Sequence, residues 1–297
     1  MNARIKAACV GFVLLGLPLA AQSVDLGNLF STVKQAFKPA DVNEELAIGK
    51  DAAATLLGAS KPIDDDAVQG YVNRIGVWVA LQSDRPDLPW RFAVVDSDDI
   101  DAFAAPGGYV FITRGLLLHM HNEAELAGVL GHEISHVVMK HHLNELQRGA
   151  RLDLLGQAAQ YQLQQNGHDS DMDQQIMDKV SSATRTLYSK GLDKGDELDA
   201  DRMGVVLAAR AGYDPYGLLA VLQTLESVDP KSSSMQLLMA THPAPADRIA
   251  ALSKAMDAGH MDKLGNQAEG QERFESVVKG LVAEAKKKPA PAAATKK

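Results

Sequence analysis

Sulfur crosslinking is excluded at the outset. The 297 residues contain one cysteine, Cys9. One thiol makes no intrachain disulfide and no multi-cysteine metal site. Aromatic residues are only 5% of a chain that is 46% apolar. The core must then be built from Ala, Leu, Val and Ile, which suits packed helices. Positive charge is also short. Against 38 Asp and Glu stand 30 Lys and Arg, a formal charge of −8. An acidic chain has no general attraction for nucleic acid or anionic lipid, so nucleic-acid binding is set aside. A membrane-spanning run is missing too. The apolar stretch Ala7 to Leu17 is shorter than the roughly 20 residues a membrane-spanning helix needs.

That stretch has the length of a secretory h-region, and Arg4 and Lys6 supply the basic n-region before it. Residues 1–21 therefore read as a signal peptide. Cleavage falls after Leu19-Ala20-Ala21 or within Ala21-Gln22-Ser23. An uncleaved signal anchor is the alternative. Cys9 lies too early in the h-region for a lipoprotein site. Removing Arg4 and Lys6 takes the formal charge from −8 to about −10 and leaves a mature chain without cysteine or membrane span. The expected compartment is the periplasm of a Gram-negative bacterium.

Along the rest of the chain, turn signals separate helical and extended segments. Asp41 to Leu57 reads as helix. Asp64-Asp65-Asp66 opens a second one through Tyr71, Ile75 and Val79, and Pro86 to Pro89 ends it. Trp90 to Val95 alternates as a strand. Ala102 to Ala105 and Tyr109 to Thr113 flank Pro106-Gly107-Gly108 as two short strands, and Thr113 can cap a helix through Leu118. Glu123 to His142 reads as a central buried helix, because its apolar residues cover more than one face. Gly128 and Gly131 each cost roughly 1 kcal/mol inside it, which points to close packing against a neighbour. Further helices are expected over Leu143 to Gln165, Asp171 to Tyr188, Gly195 to Ala211, Ala246 to Met256 and Glu272 to Lys288. Lys286 to Lys297 is rich in Lys, Pro and Ala and reads as disordered. No internal repeat is present.

His132-Glu133-Ile134-Ser135-His136 carries the chemistry. On a helix, residues four apart sit about 40° apart around the axis, so both imidazoles project from one face. Two imidazoles so placed can reach one Zn²⁺, with Glu133 beside them to handle the attacking water. A tetrahedral ion then needs another protein ligand. Lys140-His141-His142-Leu143 does not fit the spacing of a third histidine that follows shortly after. Glu197-Leu198-Asp199-Ala200-Asp201 offers an acidic helix with Glu197 and Asp201 on one face. From these residues alone, Glu197 is either a zinc ligand with Asp201 orienting a histidine, or part of a solvated acidic face.

These motifs, in this order, resemble the M48 metallopeptidases, which include Ste24/CAAX-protease and HtpX-like enzymes. The resemblance spans roughly residues 42–256. It rests on Asp101-Ala102-Phe103-Ala104-Ala105-Pro106-Gly107-Gly108, Thr113-Arg114-Gly115-Leu116-Leu117 and Glu123 through Val137, then Glu197 to Gly204 and Thr241-His242-Pro243. Asp101 departs from the family, which usually has Asn there. The resemblance implies an α+β, mostly α-helical gluzincin-type domain with a central H-E-x-x-H helix and a small β-sheet. It implies one zinc ion on His132, His136 and Glu197, with Glu133 as general base and Asp201 behind a ligand. His242 is implied either to fill the fourth zinc position and restrain activity, or to stabilise the oxyanion, with Arg248 as a companion. Gly108, Tyr109, Val110 and Phe111 are expected to offer a strand edge to an extended substrate. His119, His121, His141, His142, His168 and His260 read as surface or structural.

Within the family the likeness is greatest to secreted periplasmic members of outer-membrane protein assembly and quality control. Some of those carry a C-terminal TPR array, for which this chain ends too soon. The implied partners are unfolded or misfolded envelope proteins as substrates, and the outer-membrane assembly machinery. The expected organisation is signal peptide 1–21, linker 22–41, protease domain 42–258, helical extension 259–285 and tail 286–297. A chaperone-like binding protein with its zinc held inactive by His242 is the competing reading.

Overall fold

Short acidic caps set the first two helices. A computed structural model of the protein describes residues 40–149, 184–264 and 268–285. In it, Asp41 accepts from the Asn43 and Glu44 amides, and the Glu44 carboxylate reaches back to the Asp41 amide. This reciprocal capping box starts α1, Val42–Ala59. Asp65 caps α2, Asp66–Ala80, through the Ala67 and Val68 amides. The acid cluster at 64–66 thus does what the sequence predicts.

Three strands follow: β1 (Arg91–Val95), β2 (Ala102–Ala105) and β3 (Tyr109–Thr113). Their order is β1-β3-β2, with β1 parallel and β2 antiparallel to β3. Gly107 and Gly108, at φ of 78° and 97°, make the turn between β2 and β3. The order corrects one expectation. Tyr109, Val110 and Phe111 lie in the central strand, with partners on both sides, and Gly108 precedes it. They offer no edge. The edge beside the motif helix belongs to β2.

Thr113 caps α3 (Arg114–Leu117) by accepting from the Leu116 amide at 3.1 Å. The motif helix α4, Glu123–Val138, is capped by Asn122, and every residue from Glu123 to Val137 is buried. It is the central buried helix the sequence predicts, but it stops four residues early. Lys140 takes φ of 62°, and a new helical stretch begins at 141. Left-handed backbone costs a non-glycine residue roughly 1–2 kcal/mol. The Lys140 ammonium lies 3.5 Å from the buried Glu45 carboxylate, which Arg85 also pairs.

The remaining helices are α5 (Lys194–Arg210), α6 (Gly217–Glu226), α7 (Ser233–Thr241), α8 (Pro245–Ala258) and α9 (Gln271–Ala285). One continuous core includes Leu126, Leu130 and Ile134 of α4, Leu207 of α5, Leu218 and Leu222 of α6, and Leu252 of α8. Each such leucine contributes about 1.5–3 kcal/mol by leaving water. Helix α9 joins this core through Phe274, Val278 and Leu281. Arg273 on it pairs with Glu123 in the first turn of α4. The result is the expected α+β, mainly helical architecture around a small sheet.

Residues 141–149 and 184–190 are helical, as expected for parts of the two segments read over 143–188. The remainder of those segments, His168, the signal peptide, residues 22–39 of the linker and the tail at 286–297 lie outside the described residues. Among the described residues, no helix is long and apolar enough to cross a membrane.

Candidate metal centre

Two glycines bring the site together. A Cβ on Gly131 of α4 would lie 2.7 Å from the Gly204 carbonyl oxygen, and one on Gly204 of α5 would lie 2.7 Å from the His132 amide nitrogen. The helices therefore cross backbone against backbone. Gly128 meets the Leu218 backbone of α6 in the same way. These contacts bear out the close packing expected from the sequence. Glu197 and Asp201 lie seven and three residues before Gly204, on the stripe that faces α4. The crossing sets both carboxylates against the histidines of the motif.

His132 Nε2 lies 3.1 Å from His136 Nε2. Glu197 Oε2 is 3.6 Å from His132 Nε2, and Oε1 is 3.5 Å from His136 Nε2. Two donor atoms 2.0–2.1 Å from one tetrahedral ion stand about 3.3 Å apart, so this spacing fits zinc. His132 Nδ1 is 2.9 Å from Asp201 Oδ1. A carboxylate accepts only, so the proton of His132 sits on Nδ1 and the Nε2 lone pair faces the common point. Burial lowers the pKa of both imidazoles, that of His136 strongly, with neighbouring histidines adding to the effect. Neutral imidazole is the form that binds metal. The donor set thus fits a borderline-soft divalent ion.

His242, the residue after α7, enters the same cluster. One ligand atom each from His132, Glu197 and His242 lie within 4.8 Å of one another. His242 Nδ1 is 2.7 Å from Glu197 Oε2, and Nε2 is 3.7 Å from Asp101 Oδ1. Burial opposes a charge on His242, but the Glu197 carboxylate prevails and raises its pKa to about 9. Glu197 is held down at about 2 because His242 outweighs the cost of burial. Burial raises Asp101 to about 6.

Glu133 points into the site from α4. Its Oε2 is buried with no hydrogen-bond partner among the described residues. Burial pushes its pKa up to about 8, with Glu197 and Asp101 adding to the rise and His242 opposing it. A carboxylate so poised suits proton transfer near neutral pH. Glu133, His242, Glu197 and Asp101 line a cleft of about 150 Å³ that Ala102 and Phe103 of β2 border.

Arg248 lines a pocket with Glu133 and His242, and its side chain is held by Asp201. Its Nε donates to Asp201 Oδ2 at 3.0 Å, and Nη2 binds Oδ1. The guanidinium therefore sits behind His132, on the Nδ1 side, and anchors Asp201. Burial disfavours the Asp201 charge, but Arg248 and His132 hold its pKa well below the usual range. Asp201 thus pairs with both His132 and Arg248.

Of the histidines read as surface or structural, two are structural. His141 and His142 are buried, at 9% and 8% exposure, and both rings pack on His136. His141 Nδ1 is 3.0 Å from His136 Nδ1. His142 stacks on Tyr188, whose hydroxyl donates to the Ala104 carbonyl of β2. Tyr188 and Asp101 join the site without having been singled out for it. The signal for His141 was weak for a physical reason. On a continuous helix it would point about 140° away from His136, and only the left-handed turn at Lys140 brings it back.

The comparisons with known proteins agree with this geometry. The model of peptidase family M48 matches residues 66–256. The beta-barrel assembly-enhancing protease of Escherichia coli K12 is 28% identical over 212 residues, 70% of this chain and 43% of that protein. Its counterpart in Yersinia pestis is 30% identical over 211 residues, with the same coverage. The mitochondrial metalloendopeptidase OMA1 of Arabidopsis thaliana is 26% identical over 214 residues, 71% of this chain and 41% of that protein. The chain spans less than half the length of these relatives. With the motif helix and the buried His-His-Glu cluster inside the matched region, the chain belongs to peptidase family M48 and carries that family's metalloprotease domain.

Proposed function

We propose that the protein is a zinc-dependent metalloendopeptidase that cleaves unfolded or misassembled envelope proteins. The observation that carries this reading is the convergence of His132 Nε2, His136 Nε2 and Glu197 within 3.6 Å beside Glu133, whose Oε2 has no partner among the described residues. His132, His136 and Glu197 would hold one Zn²⁺. When bound, the ion supplies Lewis acidity toward a scissile carbonyl. Glu133 takes the proton of the attacking water and passes it to the leaving amine. Asp201 keeps the His132 proton on Nδ1, and Arg248 keeps Asp201 in place. Apart from the Ala104 carbonyl, which Tyr188 holds, the β2 edge beside Glu133 offers backbone groups to an extended chain, which gives affinity with little sequence preference. That suits a substrate defined by being unfolded.

The names of the bacterial relatives, which join protease and beta-barrel assembly, support envelope substrates and a link to outer-membrane assembly. The basic and apolar N-terminal segment supports secretion to the periplasm. The test is digestion of an unfolded outer-membrane β-barrel protein by the purified full chain, with the folded barrel and a chelator as controls. Zinc-dependent cleavage of the unfolded form alone is expected. Chelator-insensitive cleavage, or none in any form, contradicts the proposal.

A second reading has one observation in its favour. His242 already contacts Glu197 and stands within ligand distance of the cluster. A zinc with four protein ligands is closed in the manner of a structural site. The protein would then bind unfolded chains without cutting them while His242 stays in place. Binding of the unfolded barrel with no cleavage, by a chain loaded with zinc, favours this reading.

A further inference from the structure

We propose that His141 is a positioning residue for the metal centre: it fixes the His136 tautomer that leaves Nε2 free to bind zinc. The proposal rests on the ligand set above. His136 Nδ1 and His141 Nδ1 lie 3.0 Å apart, and both rings are buried. Two ring nitrogens at that distance share a single proton, so one donates and the other accepts. A histidine that binds metal through Nε2 carries its proton on Nδ1. His136 must then donate, and His141 Nδ1 must accept. With Nδ1 accepting, the ring proton of His141 is on Nε2. That atom lies 3.7 Å from Asp196 Oδ1, whose charge favours a proton there.

The two ligand rings are therefore braced from behind by different groups. His132 has a carboxylate, Asp201, itself held by Arg248. His136 has an imidazole, with Asp196 beyond it. The brace depends on the backbone as well as the side chain. Lys140, at φ of 62°, ends α4 and swings His141 back onto the ring five residues before it.

Asn and Gln at 141 separate positioning from packing. An Asn side chain places its amide oxygen where Nδ1 stands in histidine, whereas a Gln places its polar end nearer Nε2. Zinc affinity is read by competition of the purified full chain against a chelating indicator, with apo-protein melting as the check on fold. H141Q is expected to weaken zinc binding about 10–100-fold, the usual loss when a ligand histidine loses its outer partner, and H141N to stay within about threefold of wild type. Equal zinc affinity in H141N and H141Q, with apo melting matched, overturns the proposal while the metal reading stands. A wild-type chain that binds no zinc overturns both.

Discussion

Gly131 and Gly204 touch backbone to backbone where the motif helix crosses α5, and this contact sets how near Glu197 comes to His132 and His136. A methyl group at either position would fall 2.7 Å from a backbone atom of the other helix. Rigid backbone cannot give way as a side-chain tip can. Gly204→Ala is therefore expected to cost about 1–3 kcal/mol in denaturant unfolding, as overpacked cores do, and to reduce zinc occupancy as well. Gly195→Ala, on the same helix with open space around it, is the control and is expected to be neutral or slightly stabilising. Equal stability and zinc content in the two variants would show that the crossing does not set the site.

His242 lines the same cleft as Glu133. Its Nδ1 is 2.7 Å from a Glu197 carboxylate oxygen. In zinc-loaded protein, His242→Ala is expected to keep the metal and to raise cleavage of an unfolded substrate, or self-cleavage, severalfold. A large loss of activity with zinc retained would assign the residue to transition-state stabilisation, and the restraining role would fall.

Glu133→Gln is nearly isosteric but accepts no proton. It is expected to keep fold and zinc and to lose about 10²–10⁴ in cleavage rate, the usual contribution of a general base. A purified variant as active as wild type would remove Glu133 from its role.

The pattern of caps and periodicity made much of the architecture legible. Thr113 caps a helix where its side chain suggested, the acid cluster around Asp65 opens one, and the burial of α4 follows from its apolar faces. Gly128 and Gly131 were legible as close contacts, though not their partners. Strand order was not legible. Three short apolar strands carry no label that says which is central, and the antiparallel return of β2 onto β3 places Phe111 inside the sheet. Arg248 was legible as a site residue but not in its orientation, because the pull of Asp201 on a buried guanidinium appears only once α5 and α8 meet. His141 was hidden by Lys140, since a left-handed lysine leaves no mark of the kind a glycine would.

The metal centre depends most directly on its third ligand, and elemental analysis of two purified variants tests that ligand. Glu197 is buried in the cluster, whereas Asp199 on the same helix is exposed and paired with Arg202. One zinc per chain is expected in wild type and in Asp199→Ala, with a marked loss in Glu197→Ala. Full zinc in Glu197→Ala and loss in Asp199→Ala would contradict the assignment of the centre.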